Sequence, residues 1–315
     1  MTRLDTLLRA PVDLAGYRLG VPQVAGALTM VPVHGPERPG IVPPRSGLKL
    51  NRVVGYGSVE LHNGAASGVA IVPLHIGYIQ EGAQNHALCS AALMGAGETR
   101  LFEDACCVQA AQGGYLQGRD QWFFVLPVEL RAKALALRGQ PGYSKLWQDI
   151  SAVNSRYGLP ARGHLEQILT RKRAVLTQFR SRLELLPGQL GAVFFIGDKF
   201  AGLEIAPDPR YFAEMWMPLV CFAYGVAAWQ AEPPRPDADP FQATDLATLR
   251  AELNRSRDQH AESLRDRMPT DTEMYSVEQE RYLNLRLHTL TGTQLAGQVV
   301  TKNDRPIYAS LFAIH

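Results

Sequence analysis

The stretch "EGAQNHALCSAALMGAGETRLFEDACCVQ", Glu81 to Gln109, gathers most of the residues in this chain whose types could do chemistry. It holds three of the four cysteines, Cys89, Cys106 and Cys107, with Cys221 far downstream, and an amide-amide-imidazole run, Gln84-Asn85-His86. A thiolate beside an imidazole is the pattern of a cysteine nucleophile with its base, which makes Cys106 and His86 the pair to examine. Set against it, a cysteine flanked by "FEDA" and "VQA" in a strand serves packing. Thiols and imidazoles also suit zinc, but His75, His86, Cys89, Cys106 and Cys107 lack the close-spaced pairs of zinc sites. On a strand, adjacent Cys106 and Cys107 point to opposite faces, so no metal site and no cofactor are expected.

Amides offer paired donors and acceptors, which suits reading a base edge, a ribose or a peptide backbone. Gln84, Asn85 and His86, with Gln109 at the far end of the stretch, are therefore the binding candidates, against the plainer reading that they hold the loop. A second candidate is basic. Arg162, Arg171, Lys172, Arg173, Arg180 and Arg182 lie on or beside "GHLEQILTRKRAVLTQFRSRLELL", and the apolar positions Leu165, Ile168, Leu169, Leu176, Phe179, Leu183 and Leu186 leave Arg171 and Arg173 facing outward. A nucleotide or RNA phosphate could meet that face, although a solvated surface is the commoner use. No phosphate-binding glycine loop, zinc-protease helix, nucleophile elbow or kinase signature is present.

The elements that must position these residues change period near Ala132. From Leu28 to Val128 short apolar runs alternate with Gly-rich turns: "ALTMVPVHG", then "LNRVVGYGSVEL" and "GVAIVPLHIGYI" as two strands joined by "HNGAAS", then "HALCSAALM" and "TRLFEDACCVQA" joined by "GAGE", and "QWFFVLPVEL". Beyond it, "YSKLWQDISAVNSRYG" and the basic segment read as helices, "QLGAVFFIGDKFAGLEI" as a hairpin turning at Gly197-Asp198-Lys199, and "PRYFAEMWMPLVCFAYGVAAWQ" as an apolar helix kinked or started at Pro218. "AEPPRPDADP" (231–240) is a linker, and the polar helix after it carries only Leu246, Leu249 and Leu253 as an apolar stripe, which suits docking on another protein or a second copy. The chain ends in two strands around Asn303-Asp304.

These readings predict an α+β fold: an antiparallel β-sandwich-like core with a helical layer and a C-terminal helical insertion. Residues 1–230 and 285–315 form one composite domain, and 231–284 a proline-rich linker and polar-helix insertion. With 315 residues, 32 Lys plus Arg against 30 Asp plus Glu and a net charge of +2, nothing in the overall charge calls for nucleic acid or an anionic membrane. No stretch approaches the roughly 20 apolar residues of a membrane span. No leader is visible, and a cytoplasmic chain with reduced thiols is expected.

Two segments resemble a known bacterial family, the ARG and rhodanese-phosphatase-associated proteins. Its first hallmark is a Gln-Asn-Arg run, a strand, a Pro-Ala-Gly turn and a strand ending in Ser-Cys-Val-Glu-Gln-Gly. "QNHALCSAALMGAGETRLFEDACCVQ" is similar without gaps, with Gln84, Asn85, Ala96, Gly97, Cys106 and Gln109 in place. "PGQLGAVFFIGDKFAGLEIAPDPRYFAEMWMPLVCFAYGVAA" resembles its Gly-Gln-Val-Gly-Ala hairpin and Phe-x-x-x-Trp helix. The chain departs at Ala83, where the family has lysine, at His86, where it has arginine, and at Val108, where it has glutamate. The family's association with ADP-ribosylglycohydrolases and rhodanese-phosphatases implies a place near nucleotide, RNA-repair or defence systems. With those charges lost, the resemblance implies a non-catalytic binding or accessory protein. The alternative is an enzyme on an ADP-ribosyl or nucleotide substrate, using His86 and Cys106 with Gln84 and Asn85.

Overall fold

The computed structural model describes residues 2–6, 8, 11, 13–79, 84–110, 122–233, 243–270 and 273–314. The fold is α+β, built on an antiparallel sheet of nine strands drawn from three distant parts of the chain. Arg18–Leu19, Gln23–Ala25 and Leu28–His34 form one edge. The hairpin Gly191–Ile196 and Lys199–Ile205 lies in the middle. Arg305–Ala313, Leu295–Lys302, Leu285–Thr291 and Tyr275–Tyr282 complete the sheet in that spatial order. The C-terminal strands thus pair onto the Lys199–Ile205 strand, in register Glu204 to Ser310.

Both faces of the sheet's central strands are covered, so Leu28–His34, Gly191–Ile196, Lys199–Ile205 and Arg305–Ala313 are buried along nearly their whole length, while the edge strand Tyr275–Tyr282 is exposed. One face carries Leu28, Met30, Phe194, Val300 and Phe312 into the largest core, packed under the helices. The other carries Val31, Val33, Phe195, Leu203, Val299 and Leu311 against Leu4, Leu8 and Leu14 from the N-terminus and Leu264 and Met268 from the end of the polar helix. That helix, Leu246–Arg267, therefore splits by function along its length. Its last turn is anchored by Leu264, by Met268 just beyond it and by Arg267, whose guanidinium lies 4.2 Å from the Phe195 ring centre. Its first two turns leave Leu246, Leu249 and Leu253 exposed. Residues 234–240 of the expected linker lie outside the described residues. The region expected as linker and polar helix also supplies a strand, Tyr275–Tyr282, to the main sheet.

Residues 41–125 build three small sheets, and several of the expected strands divide between them. Leu48–Gly55 and Ser58–Asn63 are a hairpin about Tyr56-Gly57, so "LNRVVGYGSVEL" is two strands and not one. Asn63 does more than turn the chain: its side-chain oxygen accepts from Ala65 N (3.2 Å), and its buried amide donates to Met94 O (3.1 Å) and Gly95 O (2.9 Å). "GVAIVPLHIGYI" breaks at His75, where φ is 61°, into Val69–Val72 and Ile76–Ile79, which join different sheets. Ala92–Met94 and Thr99–Phe102, on either side of the Gly97 turn, also pair with different partners.

The helical layer rests on Pro209–Gln230. Asp208 caps its start, accepting from Tyr211 N at 2.8 Å, with Pro209 in the first turn. Pro218, lacking an N–H, opens a π-helical stretch, Pro218–Tyr224, before α-helix resumes at Gly225. By length and hydropathy this helix is apolar enough to span a bilayer, which the sequence reading missed; in the fold 72% of that window is buried against the sheets.

One buried ionic network joins the layers. Arg131, on the helix Val128–Ala136, is wholly buried and donates to Glu204 Oε1 (2.6 Å), Tyr224 Oη (3.2 Å), His75 Nδ1 (3.3 Å) and the Ser310 hydroxyl. Tyr224 donates in turn to Glu204 Oε1 at 2.7 Å and stacks on Phe194. Gly202 makes the approach feasible, because a Cβ there would collide with the Tyr224 hydroxyl. Breaking such a pair strands a buried charge, so Arg131→Met should cost about 3–5 kcal/mol in urea unfolding. Arg131→Met with Glu204→Leu should recover most of that loss. A single-variant loss under about 1 kcal/mol would contradict this role.

Candidate functional site

The hallmark stretch folds as a narrow ribbon. His86–Ala87 pairs with Cys106–Cys107 in register His86 to Cys107 and Ala87 to Cys106. Residues directly opposite share a face and sequence neighbours do not, so His86 and Cys106 face opposite sides of the ribbon. The imidazole is committed elsewhere: Nε2 accepts from Gly57 N at 3.2 Å, and Nδ1 lies 2.8 Å from Gln84 O, so Nδ1 carries the proton. The structure does not bring His86 and Cys106 together as nucleophile and base. Burial pushes the His86 pKa down, partly opposed by the bond to the Gln84 carbonyl.

The two amide candidates do converge. Asn85 N donates to Gln109 Oε1 (3.0 Å) and Val108 N to Asn85 O (2.9 Å), closing the ribbon at its open end. Gln109 forms a bridge with His164, Leu165 N donates to Val108 O (2.9 Å), and Ala110 N to Gly163 O (2.7 Å). The start of the helix Glu166–Arg171 is thereby seated against the Gln84/Asn85/Gln109 edge. Trp147 and Asn154 of the helix Trp147–Arg156 hold it from behind. Trp147 Nε1 donates to Cys107 O (3.0 Å), and Asn154 Nδ2 to Arg162 O (2.6 Å) and His164 O (3.1 Å).

This seam is polar and buried. Asn85, Gln109, Asn154, His164, Glu166 and Gln167 are all buried. His164 Nε2 lies 3.0 Å from Glu166 Oε2, so the carboxylate orients the imidazole. Glu166 Oε1, both amide atoms of Gln167 and Gln84 Oε1 have no hydrogen-bond partner. Buried polar atoms without partners cost about 1–3 kcal/mol each, so these atoms call for an explanation. The arrangement offers two or three acceptors and an amide donor pair to a polar molecule.

His164, Glu166 and Gln167 were missed in the sequence because "GHLEQILTR" fits an amphipathic helix with Glu166 and Gln167 outward. In the fold every residue from Gly163 to Leu169 is buried. A signal lay in Gly163, where a Cβ would collide with Trp147: a backbone pressed that close to another element is not a solvated helix end.

The basic candidates scatter. The expected single helix is three short ones, Glu166–Arg171, Arg173–Leu176 and Gln178–Arg182. Arg173 is half-buried with its guanidinium 4.8 Å from the Trp122 ring centre and 5.8 Å from that of Phe222, while Arg171 is exposed. Among the described residues no three His, Cys, Asp or Glu side chains are grouped to hold a metal ion.

With this geometry in view, the chain was compared with known proteins. A family model described as the ARG and Rhodanese-Phosphatase-superfamily-associated Protein domain matches residues 16–312. No curated protein and no solved structure matches the chain.

His75 joins His86 as an imidazole held neutral, pushed well down by burial first and by the Arg131 charge second. An unfolded histidine titrates near pH ~6.5. Below that value the unfolded chain binds protons that the folded chain refuses, so stability falls with pH. Urea midpoints should drop between about pH 7.5 and pH 5.5, and His86→Gln should shrink the drop, one proton being worth ~1.4 kcal/mol per pH unit. A flat profile over that window would mean that both rings protonate freely in the fold.

Proposed function

The chain belongs to the ARG and Rhodanese-Phosphatase-superfamily-associated Protein domain family, and from that membership we propose that it is a non-catalytic binding and accessory protein of a nucleotide-, RNA-repair- or defence-related system. Its binding edge is the seam of Gln84, Asn85, Gln109, Glu166 and Gln167, and its ligand a nucleotide-derived molecule rich in hydroxyls and amides. The single observation that carries this reading is Gln167: fully buried, with neither its carbonyl oxygen nor its amide nitrogen partnered. A side-chain amide kept in that state contributes nothing to folding, and a ligand hydroxyl or base edge is what its donor and acceptor complement. Arg171, exposed at the far end of the same short helix, is positioned for the anionic part of such a ligand.

A non-catalytic role fits the use made of His86. The position that is arginine in the family's pattern here holds a buried imidazole bonded to its own loop and to Gly57. Cys106 faces away from it. The accessory role is further supported by the exposed Leu246, Leu249 and Leu253, a surface for another protein or a second copy of the chain.

The test is titration calorimetry with ADP-ribose and AMP as probes. Wild type should bind at least one of them. Gln167→Leu should weaken that binding at least tenfold, about 1.4 kcal/mol or more, while keeping or raising the melting temperature, since it removes an unsatisfied amide. Absence of binding by both probes would overturn the nucleotide class. Unchanged affinity in Gln167→Leu would remove the site.

A further inference from the structure

The face of the ribbon turned away from His86 carries a second arrangement, independent of the ligand reading. Cys106 and Cys89 share that face, and their sulfurs lie 3.1 Å apart. A disulfide bond is about 2.05 Å long, so side-chain rotation over about 1 Å would close it. The ammonium of Lys145 sits beside them, held by three backbone carbonyls: Gln140 O at 2.7 Å, Asp104 O at 3.0 Å and Leu137 O at 3.4 Å. The Asp104 carbonyl is shared, because the Cys89 thiol also reaches it at 3.2 Å. Those three carbonyls hold the ammonium next to the thiol pair.

The two thiols are unequal. The hydrogen bond from Cys89 lowers the Cys106 pKa, with the Lys145 charge helping and burial opposing, whereas Cys89 is pushed up by the same hydrogen bond and by burial. The remaining cysteines differ from Cys106 in kind: burial raises Cys107, and carries Cys221 to about 11. Both thiols of the pair are buried, but the residues flanking them are not sealed. Ser90, next to Cys89, and Asp104, two before Cys106, line a polar groove with Arg100, Arg138, Gly139 and Glu280.

We propose that Cys89 and Cys106 are a redox-active dithiol that a hydroperoxide converts to an intramolecular disulfide. The Cys106 thiolate attacks one peroxide oxygen, the O–O bond breaks, and hydroxide leaves as water after taking a proton, giving a sulfenic acid. The Cys89 sulfur then attacks the Cys106 sulfur, the S–O bond breaks, and the Cys89 proton departs with the oxygen as the second water. Two thiols lose two electrons and hydrogen peroxide gains them. Lys145 is a positioning residue that favours the thiolate. The product would tie the loop after His86–Ala87 to the strand that leads to Gln109.

The test treats reduced, folded, full-length protein with hydrogen peroxide, alkylates it under denaturing conditions and maps the peptides by mass spectrometry. A Cys89–Cys106 linked pair, reversed by dithiothreitol, with Cys107 and Cys221 alkylated, is the expected result. Cys89→Ser should accumulate sulfenic or sulfinic acid on Cys106 with no disulfide, and Lys145→Met should slow wild-type disulfide formation several-fold at neutral pH. Four alkylated thiols in treated wild type, or a disulfide to Cys107 instead, would overturn the proposal. An undiminished rate in Lys145→Met would overturn the part given to Lys145.

Discussion

The structure depends on a wholly buried guanidinium. Arg131 sits at the meeting point of a helix, the main sheet and the small sheets, and every group around it is arranged to complete its hydrogen bonds. A buried ion pair is weak evidence for stability, because desolvating both charges offsets most of their attraction. Its bearing is on register, because Arg131 and Glu204 stay paired only where the surrounding strands and helix bring them together. Glu204 must face the helix, so Ser310, its partner across the sheet, faces it too. Tyr224 must reach Glu204, which requires Gly202 and places the hydroxyl at the end of the π-helical stretch.

The candidate site hangs from this network through a short chain of contacts. His75 meets Arg131 and holds positive φ, turning the backbone into Ile76–Ile79. That strand pairs with His86–Ala87, which pairs with Cys106–Cys107, whose continuation meets His164 and Leu165. Other polar stitches hold the small sheets to the main one: Leu74 N to Tyr308 Oη, Ala91 N to Gln298 Oε1, and Arg100 to Glu280.

Much of the frame was legible because it follows simple periods. The hairpin Gly191–Ile196 with Lys199–Ile205, the closing strands around Asn303-Asp304 and the Pro209–Gln230 helix stand where pattern places them. The small sheets were misread where a turn carries no strong signal. Tyr56-Gly57 lacks the asparagine or aspartate that announces a hairpin, and His75 is a non-glycine residue in the left-handed region. The basic helix was read as continuous, but Thr177 bonds back to Arg173 O at 2.8 Å and the chain bends there. For the site, Gln84, Asn85 and Gln109 were legible as amides at the ends of one ribbon. His164, Glu166 and Gln167 were not, because their burial comes from Trp147 and the ribbon edge, contacts between segments far apart in sequence.

The ribbon thus carries two chemically distinct groups. One is the set of amides with the His164–Glu166 pair at its open end, and the other the Cys89–Cys106 pair beside Lys145. The central claim is that the amide side receives a polar ligand. Hydrogen–deuterium exchange in the presence and absence of ADP-ribose tests it most directly. The account predicts added protection confined to residues 84–87, 106–110 and 163–168. Protection falling on Leu246–Arg267 alone, or nowhere while calorimetry shows binding elsewhere on the chain, would contradict it.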